Sequence, residues 1–338
     1  MHHDDTMVQG RAVHIGLLLI DGFALMSYAS FVEPFRAANV LSGAALYRWS
    51  NVTIAEPEVA ASNGARLLSD ARVGDVFKGD LLLVFAGGRP ALFYDEKCFA
   101  WLRRLARQGI RIGGVSGGPF VLAAAGLLEN KRATVHWEHA AEMEARFPRV
   151  ELQSSLFTID DDRLTCAGGI AALDLALALI DADHGAELTR QVREWFIGAG
   201  VRPADNVQRA TVSERYKTTN RRLVAMLTAM ETAVESPVPR KALADAAGVS
   251  QRQLERLCIR EMGRTMDETY MGIRLDHAKN LLTSRSCSIT EAAFACGFRS
   301  ASHFSRRFKR SFGMSPSRAG TPLVGSEASK RKPAGLKS

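Results

Sequence analysis

The chain has 338 residues, 46% hydrophobic and 24% charged, an ordinary composition for a soluble globular protein of two or three domains. Its net charge of +8 is unevenly split: residues 1–200 hold 19 Lys+Arg against 24 Asp+Glu, whereas residues 201–338 hold 25 against 12. An acidic front and a strongly basic back point to a nucleic-acid partner for the back alone. The five cysteines (Cys98, Cys166, Cys258, Cys287, Cys296) form no C-x-x-C pair and have no histidine at zinc spacing. They exclude a zinc site or a disulfide framework and suit buried thiols in a reducing cytoplasm.

In chain order, residues 1–10 are polar and expected to lack order. Residues 13–20 form a near-continuous apolar run, the mark of a strand buried on both faces of a parallel sheet. That run is far too short to cross a bilayer and leads into Asp21-Gly22 without a cleavage pattern, so neither a membrane partner nor a signal peptide is expected. A helix follows over about 27–39, then strands at 49–55 and 81–86, an amphipathic helix at 93–108, and a strand at 110–115. Further on come a helix reaching Leu128, a short strand ending near Val135 and a helix after His136-Trp137. A hairpin around Asp160–Asp162, an apolar helix over 170–180 and a last helix over 185–198 complete the pattern. Strands alternating with helices predict an α/β doubly wound domain over residues 12–199. The stretch 200–217 is polar and aperiodic, contains Pro203, and is expected to be an interdomain linker.

The back half, 218–320, reads as an all-α domain with two helix-turn-helix units. Residues 240–262 give a helix, a Gly248 corner and a second helix opening at Ser250, where Gln253 completes a capping box. Leu254 and Leu257 face inward, and Gln251, Arg252, Glu255 and Arg256 face outward or flank that stripe. Residues 266–283 are one longer amphipathic pattern, a rigid connector. Ser288 with Glu291 caps the next helix, which stops at Cys296-Gly297. The last helix carries Phe304, Phe308 and Phe312 at i, i+4, i+8, with Phe298 just upstream. Its other faces bear Arg299, His303, Arg306, Arg307, Lys309 and Arg310. Two such helices on one spacer suit successive major-groove segments about 34 Å apart. Arg299, Ser300, Ser302, His303 and Arg306, with Gln251, Arg252 and Glu255, are the expected base readers; Arg307, Lys309 and Arg310 are expected on phosphates. Residues 321–338 are expected to be a disordered basic tail.

In the front half, Gly114-x-Ser116-x-Gly118 follows a strand and precedes a helix, the nucleophile-elbow pattern. The amides after Ser116, and the Gly87-Gly88 loop at a neighbouring strand's end, would face an anion in the pocket. A serine nucleophile needs an imidazole within about 3 Å and an orienting acid. His136, His139 and His184 follow, but only Glu129 and Glu138 lie between Ser116 and His139, a cramped spacing. Ser116 therefore reads as a remnant elbow reused for effector binding, as a simple helix cap, or as a nucleophile. Trp137 either packs in the core or offers its ring face to a cationic effector. Cys166 reads as a buried thiol.

Residues 218–320, through VSQRQLERLCIREMG, RLDHAKNLL and ITEAAFACGFRSASHFSRRFKRSFGMSP, resemble the DNA-binding domain of the AraC/XylS transcription regulators. Residues 12–198, through IRIGGVSGGPF, RATVHW and TCAGGIAALD, resemble the DJ-1/PfpI, class I glutamine-amidotransferase-like fold. The combination is similar to the GlxA-like regulators, among them regulators that respond to arginine, carnitine or glycine betaine. Enzymes of this fold use a cysteine at the elbow; here Ser116 stands there, with His136 as the downstream histidine. The resemblance implies a cytoplasmic, dimeric activator without cofactor or metal that binds promoter DNA and works with RNA polymerase. Its non-enzymatic pocket, lined by Gly87, Gly88, Ser116, Gly117, His136 and Trp137, would take a small amine, betaine or amino acid. The alternative is an amidase or hydrolase using Ser116 with a fused DNA-binding domain; a constitutive architectural DNA binder is a third reading.

Overall fold

The computed structural model describes residues 11–197, 202–209, 211–283 and 287–319, so the disorder expected at 1–10 and 321–338 lies outside the described residues. The chain divides into two units, Met1–Arg209 and Ala210–Ser338. The first contains strands β1 (Val13–Leu19), β2 (Tyr47–Thr53), β3 (Glu58–Ala60), β4 (Arg66–Leu68), β5 (Ala71–Arg72), β6 (Leu81–Ala86), β7 (Arg111–Ser116), β8 (Arg132–Ala133), β9 (Glu151–Leu152), β10 (Phe157–Asp160) and β11 (Arg163–Cys166). Its helices are α1 (Leu25–Ser42), α2 (Glu96–Arg107), α3 (Gly118–Ala124), α4 (Ala140–Arg146), α5 (Ala171–His184) and α6 (Ala186–Trp195).

Seven strands form one sheet in the order β10-β11-β7-β6-β1-β2-β5. All its pairings are parallel except the β10–β11 hairpin at one edge. The doubly wound architecture follows from burial on both faces. In β6, Leu81, Leu83 and Phe85 point into one core with Phe31, Phe35 and Leu175. Leu82, Val84 and Ala86 point into the other, with Trp101, Leu102 and Phe120. A strand whose alternate residues feed two cores must be apolar throughout, which is why it appears in the sequence as an unbroken run. α3 ends four residues short of the expected Leu128, because Gly126 takes a left-handed backbone (φ 75°) and turns the chain.

The stretch expected to be a linker is not one continuous tether. Within residues 202–209, the Arg202 amide and guanidinium bind the Asp174 carboxylate at 2.7–3.1 Å. Leu156 donates its amide to Ala204 O at 2.9 Å, and Val207 bridges Ser155 in antiparallel fashion. These residues belong to the first unit. Thr211 then opens a short helix of the second unit through a complete capping box with Glu214.

The second unit is helical: α7 (Val212–Arg215), α8 (Arg221–Thr232), α9 (Arg240–Ala246), α10 (Gln251–Met262), α11 (Met266–Thr283), α12 (Ile289–Ala295), α13 (Ala301–Phe312) and α14 (Pro316–Ala319). Both expected capping boxes form, Ser250 with Gln253 and Ser288 with Glu291. Two cores share α11. Met266 and Tyr270 join Leu223, Leu243, Leu254 and Cys258 in one. Leu275, Ala278 and Leu282 join Ala292, Phe298, Phe304 and Phe308 in the other. In this second core Phe298, Phe304 and Phe308 stack edge-on in series, with centroids 5.2 and 5.4 Å apart. Phe304→Ala should destabilise the second unit by about 3–5 kcal/mol, measured by urea unfolding of the full chain. A loss below about 1 kcal/mol would mean that this core closes without the ring.

Candidate functional site

Ser116 ends β7 at the middle of the sheet's carboxyl edge, flanked by β6 and β11. It adopts φ 61°, a left-handed conformation that costs a side-chain-bearing residue about 1–2 kcal/mol. The surroundings impose that turn. A Cβ on Gly118 would stand 2.0 Å from Val84 O, and one on Gly114 would stand 2.6 Å from the Gly118 backbone. The glycines of the G-x-S-x-G spacing are thus required by backbone contact, and Ser116 lies at the apex, 8% exposed.

Several expected pocket residues converge here. Gly117 donates to Ala86 O at 3.0 Å, and its α-carbon faces Pro90. Gly87 lies against the Gly22 carbonyl, and Gly88 turns with φ 62° on the exposed side of that loop. The His136 amide donates to Ser116 O at 3.4 Å. Two residues not anticipated complete the cluster. A Cβ on Gly168 would meet Ser116 Cβ at 2.6 Å, and Ser27 Oγ accepts the Gly169 amide at 2.7 Å. Ser27 sits on an apolar helix face, and no spacing in the sequence marks it.

Two expectations for this site need correction. Ser116 does not cap α3: the N-cap is Gly117, without a side-chain hydrogen bond. The fan of amides for an anion is also depleted. Gly117 and Phe120 spend their amides on Ala86 O and Gly117 O, and Pro119 has none.

Among the described residues no side-chain base is hydrogen-bonded to the Ser116 hydroxyl. The His136 ring accepts the Glu138 amide through Nδ1 at 3.4 Å, and among the described residues no hydrogen bond joins it to the Ser116 hydroxyl. The candidate acids are engaged elsewhere. Glu129 pairs with Arg149, Asp174 with Arg202 and Asp160 with Arg132, while the Glu138 carboxylate stays 3.9 Å from His136 Nδ1. Burial lowers the His136 imidazole from its ordinary value and, with the neighbouring His136 charge, lowers His139 to about 4. Burial also pushes the Cys166 thiol up to about 12, so it remains protonated and a poor nucleophile.

Trp137 is 37% exposed, its ring 5.3 Å from that of His136. The Arg209 guanidinium lies over it at 4.2 Å. Gln208 inserts its side-chain amide beside this pair. Nε2 donates to Thr134 Oγ1, Val135 O and Ser155 O, each at 2.9 Å, and Oε1 accepts the Trp137 amide at 2.7 Å. Sequence reasoning missed both residues, because a polar side chain binding distant carbonyls leaves no periodic signal.

In the second unit, Ser250 caps α10 and Ser300 caps α13 through their hydroxyls. Gln251, Arg252, Arg256, Arg299, Ser302, Arg306, Arg307, Lys309 and Arg310 are all exposed. Among the described residues none of Arg299, Arg306, Arg307, Lys309 and Arg310 is in a salt bridge with a carboxylate. His303 packs its ring against Phe298 at 5.8 Å, and Arg307 reaches the His303 ring at 3.5 Å. Glu255 is half-buried and accepts the Met266 amide at 3.3 Å, so its carboxylate holds the start of α11.

The histidine shifts carry a pH signature. A folded-state imidazole held below its ordinary 6.5 favours folding at neutral pH, and that stability drains as pH falls from about 6.5 toward about 4. Melting temperatures of the full chain should therefore fall between pH 7 and pH 5, and His139→Gln should reduce the fall. An unchanged pH dependence in that variant would remove His139 as its source.

The two halves match known families. Residues 14–182 match the DJ-1/PfpI family and residues 243–320 a helix-turn-helix domain family. The HTH-type transcriptional regulator GlxA of Rhizobium meliloti is 43% identical over 303 residues, 89% of this chain and 94% of that protein. The HTH-type transcriptional regulator CdhR of Pseudomonas aeruginosa is 42% identical over 308 residues, 90% of this chain and 91% of that one. The crystal structure of an AraC family transcriptional regulator from Pseudomonas putida covers 54% of this chain and 99% of its own, with a TM-score of 0.50 and 25% identity. These matches, over a strained elbow in the first unit and two capped helix-turn-helix units in the second, place the chain among the HTH-type transcriptional regulators in which a DJ-1/PfpI domain precedes an AraC-type DNA-binding domain.

Proposed function

We propose that the chain is a cytoplasmic transcriptional activator that binds promoter DNA as a homodimer, works with RNA polymerase, and is gated by a small amine, betaine or amino acid. The effector binds without turnover in the first unit, against Gly87, Gly88, Ser116, Gly117, His136 and Trp137. The observation that carries this reading is the elbow itself: Ser116 keeps a strained turn while His136 accepts the Glu138 amide at Nδ1 and, among the described residues, is not bonded to the serine hydroxyl. An elbow serine that no imidazole is bonded to can contribute to holding a ligand without acting as its nucleophile. Trp137 supports a cationic or methylated-amine ligand through its ring face.

For DNA we assign base contacts to Arg299, Ser300, Ser302, His303 and Arg306 on the second unit's last reading helix, and to Gln251 and Arg252 on α10. Arg256, Arg307, Lys309 and Arg310 hold phosphates. Glu255 contributes by fixing α11.

The hydrolase reading is favoured by the φ of Ser116 alone, and one variant separates the two. Ser116→Ala should retain effector-dependent transcription with at most a shifted dose–response; loss of a measurable turnover in that variant would instead make the protein an enzyme. Arg306→Ala should weaken binding to an operator selected from random duplexes by about 1–3 kcal/mol and relax preference at one position. Lys309→Ala should weaken all duplexes alike and flatten the dependence of log affinity on log salt. Equal losses on operator and random DNA for Arg306→Ala would reassign it to the phosphates.

A further inference from the structure

Resting on the sensor reading above, we infer that the Trp137 ring is a cation subsite held by the protein's own Arg209, and that a ligand cation displacing Arg209 releases the strap leading into the DNA-binding unit. Residues 202–209 are fastened to the first unit at three places. At the near end Arg202 grips the buried Asp174. In the middle Ala204 O takes the Leu156 amide and Val207 bridges Ser155. At the far end Gln208 and Arg209 hold the segment 134–137, whose His136 amide is bonded to Ser116 O.

The three fastenings differ in kind. The Asp174 pair joins a formal charge to a carboxylate that is 3% exposed, and nothing arriving from solvent replaces it easily. Arg209 is exposed, is in no salt bridge among the described residues, and its recorded partner is the face of a half-open indole. The exposed cation–ring contact is weaker than the Asp174 pair and than the Gln208 hydrogen bonds beside it, and it is the one a second cation can take over, which leaves the end of the strap on Gln208 alone. A ligand that also touches His136 or Ser116 gains contacts that Arg209 lacks.

The release acts at a defined point. Arg209 is the last residue of the first unit, and Thr211 is the N-cap of α7 in the second. The Trp137 amide bonded to Gln208 lies in the same residue as the ring, so moving the ring loads that bond directly. The chemical class of ligand is thus a compact cation with a hydrogen-bonding or carboxylate group beside it.

The test uses the full chain, hydrogen–deuterium exchange over 202–209 and at the Trp137 amide, and tetramethylammonium as a bare cation probe. Sodium chloride at equal ionic strength is the control. Tetramethylammonium should speed exchange there by about three-fold, the size expected for loss of one exposed cation–ring contact. Arg209→Ala should exchange faster without any probe and respond no further, and Arg209→Lys should stay near the parent. Trp137→Leu should be insensitive to the probe, with Trp137→Phe as the conservative ring variant should the leucine chain not fold. No response in the parent chain, an equal response to sodium chloride, or a full response in Trp137→Leu overturns the inference. Strap opening by tetramethylammonium, with no amine or amino acid changing promoter output, would uphold this subsite and sink the sensor reading. Promoter control by an amine with the strap's exchange unmoved would do the reverse.

Discussion

The first unit depends on one backbone contact. Gly118 lies so close to the Val84 carbonyl that no side chain fits between them, and Gly114 is equally tight against Gly118. The chain leaving β7 must therefore double back at once, and Ser116 absorbs the strain. With the serine fixed, the His136 amide, the Gly87-Gly88 loop and the Gly168-Gly169 turn gather about it. The elbow is an outcome of sheet and helix packing, so its geometry does not depend on what the His136 imidazole bonds to.

The second unit obeys a different constraint. Its basic helices are short, and α13 stays helical because Phe304 and Phe308 are buried, its hydroxyl cap satisfies an orphan amide, and Gly313 ends it with a left-handed turn. Burial on one side leaves Arg299, Arg306, Arg307, Lys309 and Arg310 exposed, and among the described residues none of them is in a salt bridge with a carboxylate. A helix so held presents guanidinium and ammonium groups at low conformational cost, which suits recognition of a polyanion.

Much of this was legible in the residues themselves. The unbroken apolar run of β6, the two capping boxes and the phenylalanine spacing of α13 each state a local physical requirement, and each element formed where that requirement placed it. G-x-S-x-G was legible for the same reason, since steric exclusion admits few residue types. Contacts of high sequence separation were not. Ser27 serves Gly169, Gln208 serves Thr134 and Val135, and Arg202 serves Asp174, all through hydrogen bonds or an ion pair that impose no period on the sequence. Residues 202–209 consequently looked like a tether, because polarity without rhythm is equally the mark of a loop in water and of a loop sewn to a buried network.

Helix α11 has a consequence for how the protein can vary. It contributes Met266 and Tyr270 to one core and Leu275, Ala278 and Leu282 to the next, so the two reading helices are phased by a single helical shaft. One residue added to that shaft would rotate the far reader by about 100° and advance it about 1.5 Å, spoiling both alignment and packing together. With both helices on DNA as proposed, the spacing of their contacts would be set by the length of one helix, and a change in operator geometry would be met by bending the duplex rather than by stretching the protein.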